Sequence, residues 1–222
     1  MVAVDDAAYL EEKRELCNEY GVDFDKIKEF HSRIAPLIRN IAKKVAISRQ
    51  LNEAYKEVRR SLEYWEEIWE LATSKVSPKQ KSLLELFMYL ELSEGIFDEL
   101  IQVITFVLMS NHHDLYDPRT RVFLESYGEL DGLDFYVKLQ FIERHGFEFV
   151  SGAFDRKLRN CIAHLDFIIN DDGTVINRKT GEKMGDIMAK MHYLGTLCSM
   201  MIIIVNKVLS EDPHVHFLRL PE

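Results

Sequence analysis

Between Leu37 and Ala72 apolar residues recur in steps of three and four: Ile38, Ile41, Ala42, Val45, Leu51, Ala54, Tyr55, Val58, Leu62, Trp65, Ile68 and Trp69. That spacing keeps one face of a 3.6-residue helix apolar and predicts an amphipathic helix of unusual length. Pro36 is expected to kink or break the chain between it and an earlier helix over about Asp25 to Ala35. Ser77-Pro78-Lys79-Gln80 places Ser at an N-cap, Pro at the first helical position and Gln at the third, which starts a new helix. This helix runs from Lys79 to about Met109 and is apolar on most sides. Its polar residues Glu91, Glu94, Asp98, Gln102 and Thr105 share one arc of about 80° at 100° per residue. The stripe is either the solvent face of a bundle helix or the lining of a cleft.

Residues 110–131 read as loop, followed by helices over Leu133 to Arg144 and about Phe149 to Leu165. The period then changes. Phe167, Ile169, Val175 and Ile176 flank Asn170-Asp171-Asp172-Gly173, a hairpin signal. A last helix, Asp186 to Leu209, is apolar nearly all round, and an irregular tail is expected from Ser210. The fold class is therefore all-α: a helical bundle with a long N-terminal helical extension and a small β-hairpin inserted before the last helix. The divisions expected are 1–78 for the extension, 79–209 for the bundle and 210–222 for the tail.

Charge restricts the function classes. Lys and Arg number 28 against 37 Asp and Glu, a formal net charge of −9. A broad cationic surface that coats nucleic acid is excluded, although a local basic site is not. Cys17, Cys161 and Cys198 are far apart and form no C-x-x-C pair, which suits a reduced compartment and offers no zinc framework. Asp5 and Asp6 precede any apolar run, so no signal peptide is expected. The charge-free stretches between Glu99 and Asp114 and between Lys190 and Lys207 fall short of the roughly 18–20 residues that span a bilayer. A soluble cytoplasmic protein with no membrane partner is expected.

His112-His113-Asp114 has no further His or Cys at ligand spacing, so it reads as a solvated loop, and no metal or cofactor is assigned. His192, Thr196, Ser199 and Asn206 read as polar core positions of the last helix, and Trp65 and Trp69 as a packing pair one turn apart. His31 and His145 have no partner legible in the sequence. No GxGxxG, Walker or nucleophile-elbow motif occurs, which argues against nucleotide-dependent transferases and hydrolases.

The segment Phe154-Asp155-Arg156-Lys157-Leu158-Arg159-Asn160-Cys161-Ile162-Ala163-His164-Leu165 stands apart. On a helix Leu158, Cys161, Ile162 and Leu165 form a core stripe, opposite Arg156, Asn160 and Ala163. Arg159 and His164 flank that opposite face about 140° apart. One helix cannot make them converge on a single atom, but two copies related by a two-fold axis can bring each Arg to the other's His.

Arg159-Asn160-x-x-x-His164, late in an all-helical bundle, resembles the R-x4-6-H motif of HEPN domains. The resemblance covers about residues 79–209. It implies a dimeric, metal-independent endoribonuclease, in some members toxin-like or defence-related and silenced by a cognate antitoxin such as a small nucleotidyltransferase. It also implies that His164 moves a proton during attack of a ribose 2′-OH on the adjacent phosphate, while Arg159 stabilises the phosphoryl charge. Asn160 would then support the site and Arg156 contact phosphate. The residue types suit these roles: imidazole accepts and donates protons near neutrality, and guanidinium presents a planar charged fork to phosphate. The alternative is a non-catalytic HEPN-like module for RNA binding or dimerisation. Arg156, Lys157, Arg159, Arg178, Lys179 and Lys183 would give it a local cationic groove on an acidic body.

Overall fold

The computed structural model describes residues 10–42 and 45–210. The expectations for the first residues and for the tail therefore lie outside the described residues, apart from Ser210. The chain is mostly helical, with a two-stranded antiparallel hairpin before the last helix. In order it forms α1 (Arg14–Glu19), α2 (Phe24–Ala42), α3 (Val45–Thr73), α4 (Pro78–Glu91), a π-helical turn (Leu92–Phe97) and α5 (Asp98–His112). There follow α6 (Tyr127–Leu130), α7 (Phe135–Arg144), α8 (Glu148–Gly152), α9 (Arg156–Ala163), β1 (Phe167–Ile169), β2 (Val175–Asn177) and α10 (Ile187–Ser210).

Pro36 does not break the chain. It lies inside α2, on its exposed side. The Ser32 carbonyl that Pro36 leaves without an amide partner faces water there. Ile34, Ala35, Ile38 and Ile41, on both sides of it, are buried and carry the helix through. The start of α4 follows the sequence signal: the Gln80 amide donates to Ser77 Oγ (3.3 Å), and the Ser77 amide donates to Gln80 Oε1 (2.9 Å). The long helix expected from Lys79 is interrupted by the π turn and continues as α5 to His112.

The helix expected over Phe149 to Leu165 is two helices, α8 and α9. The chain turns at Gly152-Ala153-Phe154, and Asp155 starts a new helix by accepting the Leu158 amide at 2.9 Å. The hairpin pairs Phe167 with Asn177 and Ile169 with Val175. Gly173 takes a left-handed φ of 86° at its tip, and the Asp172 carboxylate accepts the Thr174 amide and hydroxyl.

One hydrophobic core runs through both the N-terminal helices and the rest, joining Ile34 and Ile38 of α2 to Phe106 of α5 and Leu197 and Met201 of α10. Over Ile187–Leu209, α10 is long and apolar enough to cross a bilayer, a longer stretch than the run between Lys190 and Lys207 suggested. More than half of it is buried, and it packs along α2, α4 and the π turn, the pattern of a core helix.

Candidate active site

Helix α9 is fixed at both ends. At its start the Asp155 carboxylate caps the helix and ion-pairs with Lys190 of α10. Burial alone would raise that carboxyl. The Lys190 ammonium and the Leu158 and Lys157 amides outweigh burial and hold it below the usual carboxylate range. Just before the cap, Phe154 stacks on Phe97 of the π turn and meets Phe135 of α7 edge-on at 5.0 Å between ring centres. At its end the Leu165 amide donates to Ile162 O (2.9 Å) and the Asp166 amide to Cys161 O (2.8 Å). This is a Schellman closure with His164 as C-cap and Leu165 in the left-handed position, φ 54°.

That closure corrects one expectation. Leu158, Cys161 and Ile162 are buried as the stripe requires, but Leu165 is 59% exposed. The helix ends at Ala163, and the left-handed residue turns away from the core. Ile168 on β1 is also exposed at 51%. Ala163 and His164, which immediately precede Leu165, are exposed as well.

Arg159 is half-buried. Its Nε lies 2.5 Å from Glu94 Oε1 of the π turn, and its Nη1 donates to Asn160 Oδ1 at 2.9 Å. Arg159, Asn160 and Glu94 are thus brought together. His164 is not brought to them: among the described residues its ring makes no hydrogen bond, ion pair or ring contact. The Arg156 guanidinium lies 4.0 Å over the Tyr136 ring of α7 and remains exposed. On the hairpin, the Arg178 amide donates to Asp166 O and Lys179 ion-pairs with Asp166. Of the basic residues expected beside α9 from the hairpin, Lys179 reaches Asp166 just past the helix end, and Arg159 and Lys179 are each neutralised by a carboxylate.

The π turn explains why Glu94 reaches Arg159. Helix α3 lies against this turn, and a Cβ on Gly95 would stand 2.8 Å from Ser61 Oγ and 2.5 Å from Glu91 Oε1. Only glycine admits so close an approach. Burial raises the Glu91 carboxyl. The Ser61 hydroxyl opposes that shift, and the Glu94 charge adds to it.

The polar stripe of this long helix is neither a solvent face nor one cleft, because its members serve different neighbours. Glu94 meets α9. Asp98 Oδ1 lies 3.0 Å from Nζ of the buried Lys138 on α7, which donates to Gln102 Oε1 at 2.7 Å. Gln102 in turn donates to Asp131 Oδ1 at 2.5 Å. Beside them Tyr127 donates to Glu99 Oε2 at 3.3 Å, and burial raises both the phenol and the carboxyl. Thr105 is fully buried. Sequence reading placed Glu94, Asp98 and Gln102 on one stripe but missed Lys138 and the assignment of Glu94 to Arg159. The only signal for Lys138 was a lone cation in an otherwise apolar helical run.

Elsewhere, His145 does have partners. Its Nδ1 is 2.9 Å from Phe141 O, its Nε2 is 3.5 Å from Asp114 Oδ2, and its ring lies against His112 and Phe141. Trp65 and Trp69 stack on each other, His192 stacks on Tyr20, and Thr196 is buried. Compared with protein-family models, curated proteins and solved structures, the chain gave no match in any of the three.

Proposed function

We propose that this chain is a metal-independent endoribonuclease of the HEPN type, acting at a composite site formed by two copies of α9 across a two-fold interface. The observation that carries the proposal is the state of the two motif residues. The Arg159 guanidinium is held at half exposure by Glu94 and Asn160, while the His164 ring, at the end of the same helix, is exposed and has no partner among the described residues. An oriented cation and an unengaged imidazole are what in-line attack on a phosphodiester requires.

In that reaction the ribose 2′-oxygen bonds to phosphorus and the bond to the 5′-oxygen breaks, leaving a 2′,3′-cyclic phosphate and a 5′-hydroxyl. The 2′-OH proton passes to one imidazole, and the leaving oxygen takes a proton from the other, since a two-fold site holds two copies of His164. Arg159 faces the charge that builds on the phosphoryl oxygens, Asn160 orients the Arg159 fork, and Arg156 contacts a neighbouring phosphate. Exposed Leu165 and Ile168, beside His164 and next to it in the fold, supply apolar surface for the interface. RNA as substrate, together with three buried free thiols, suits the cytoplasm.

A second reading has its own observation. Because Arg159 is already ion-paired with Glu94, α9 suits a non-catalytic RNA-binding or dimerisation module equally in geometry. The experiment that separates them is cleavage of structured and unstructured RNA in excess EDTA, with Arg159→Ala and His164→Ala alongside. The nuclease reading expects cyclic-phosphate products, with each variant slower by about a hundredfold or more. Intact RNA with the wild type overturns it in favour of the module. Cutting that survives both substitutions overturns the site. A strict monomer by light scattering overturns the composite geometry.

A further inference from the structure

At the opposite end of α9 from His164 the first turns of α9 and α10 and the end of α1 enclose a cleft of about 600 Å³. Its walls carry the cations Arg156, Lys157 and Lys190 and the rings of Tyr20 and Tyr193. One carboxylate, Asp155, is present, and it is already engaged with the helix start and Lys190. Locally the cleft is therefore cationic on a chain whose net charge is −9. Among the described residues Arg156 and Lys157 form no ion pair, and Arg156 stays exposed with its guanidinium over the Tyr136 ring. Because Asp155 occupies the helix start, an anion would be taken here by side chains and not by the helix end.

We infer that this cleft binds a single-stranded RNA segment flanking the scissile bond, with phosphates on Arg156 and Lys157 and a base against Tyr193. The chemistry of the walls favours this ligand. Cations alone would serve an acidic peptide equally well, but aromatic rings interleaved with cations recognise stacked bases strung on a phosphate backbone. Continuity with the motif favours it too. Arg156 and Arg159 are three residues apart on one helix and therefore neighbours. Eight residues of α9 span about 12 Å, so the cleft and His164 lie within reach of one short stretch of strand. The inference rests on α9 facing RNA, as proposed above, but not on the chemistry at His164. Lys157, which the catalytic reading gave no role, acts here.

The test is fluorescence anisotropy with a labelled twelve-nucleotide single strand carrying 2′-O-methyl groups throughout, which binds but cannot be cleaved. It is run on the full chain across a salt series. Lys157→Ala is expected to weaken binding and lower the slope of log affinity against log salt by about 0.7, one cation's share for a single strand. Tyr193→Leu is expected to weaken binding about tenfold or more without changing that slope, and Tyr193→Phe to retain it. Lys75→Ala, an exposed cation in the loop before α4, is the control and leaves both quantities unchanged. Wild-type affinity and slope in both Lys157→Ala and Tyr193→Leu overturn the inference. So does loss in Tyr193→Phe equal to that in Tyr193→Leu. A wild-type chain that ignores the strand but binds a labelled polyglutamate peptide overturns it in favour of a protein partner. If the nuclease reading fails while Lys157 and Tyr193 still govern binding, the cleft stands and only the chemistry falls.

Discussion

Replacing Gly95 by alanine tests the packing that aims Glu94 at Arg159, because two effects of opposite sign compete there. In an open helix interior Gly→Ala stabilises by up to about 1 kcal/mol. Here the new Cβ would lie 2.5 Å from Glu91 Oε1, 2.8 Å from Ser61 Oγ and 3.1 Å from Ser61 Cβ. The Glu91 carboxylate is the end of a flexible side chain and can swing away, at the loss of its Ser61 hydrogen bond, about 1 kcal/mol. Ser61 is short and sits on the rigid α3, so α3 and the π turn must part by a few tenths of an ångström. Overpacking of this kind costs about 1–3 kcal/mol. The sum is a net destabilisation of about 1–3 kcal/mol, which urea denaturation reads as a midpoint lower by about 0.5–1 M at unchanged slope. Ser61→Ala combined with Gly95→Ala removes the hydroxyl clash, so the double variant is expected to lose less than the sum of the singles, by about 0.5 kcal/mol or more. A midpoint at or above wild type in Gly95→Ala would refute the close approach of α3 to the π turn, and with it the reason Glu94 reaches α9.

Four other outcomes follow from the same geometry. Lys138→Ala leaves Gln102 and Asp98 without their cation and is expected to cost about 3 kcal/mol, while Lys138→Met, which fills the volume, costs less than half of that; equal losses in chemical denaturation would show that the missing cation, and not the emptied volume, sets the cost. Burial raises the Glu99 carboxyl, so its contribution to stability is fully present below the unfolded-state value and is lost as pH rises through the folded one; Glu99→Gln is expected to raise the melting temperature at pH 7 and to flatten the gain the wild type shows on acidification toward pH 5, and no change in either would contradict the burial. Glu94→Gln frees the Arg159 guanidinium for phosphate but loosens its aim, so KM for RNA should fall and kcat drop by about tenfold; steady-state kinetics matching wild type in both constants would remove Glu94 from the site. Leu165→Gly relieves a left-handed leucine and is expected to stabilise the monomer by about 0.5–1 kcal/mol while weakening self-association, and sedimentation showing an unchanged dimer would take Leu165 out of the interface.

Helices, hairpin and motif were legible because each rests on local physics. A 3.6-residue apolar period, the Ser77 cap with Gln80, and the Asn170-to-Gly173 turn are specified by neighbours a few residues apart, and the structure keeps all three. Arg159, Asn160 and His164 were singled out because their side-chain chemistry is unusual for one short helix. The errors arose where distant residues outvoted local preference. Pro36 was tolerated because buried residues on both sides hold α2 in place. The segment over Phe149 to Leu165 split because Phe154 found Phe97 and Phe135, and Asp155 found Lys190. The tight packing at the π turn was invisible because Ser61, which approaches Gly95 there, lies more than thirty residues away in the chain.

The sequence by itself therefore determined an all-helical chain with one hairpin, an acidic body and a short cationic helix bearing an Arg–His motif. Only the tertiary structure decided which charges stay available. It gave Arg159 to Glu94, Lys190 to Asp155, Lys179 to Asp166 and Lys138 to Asp98. His164, Arg156 and Lys157 were left facing solvent. The physical reason is that an ion pair depends on separation in space. Periodicity can place each residue on a face of its own helix, but only packing decides which carboxylate that face meets.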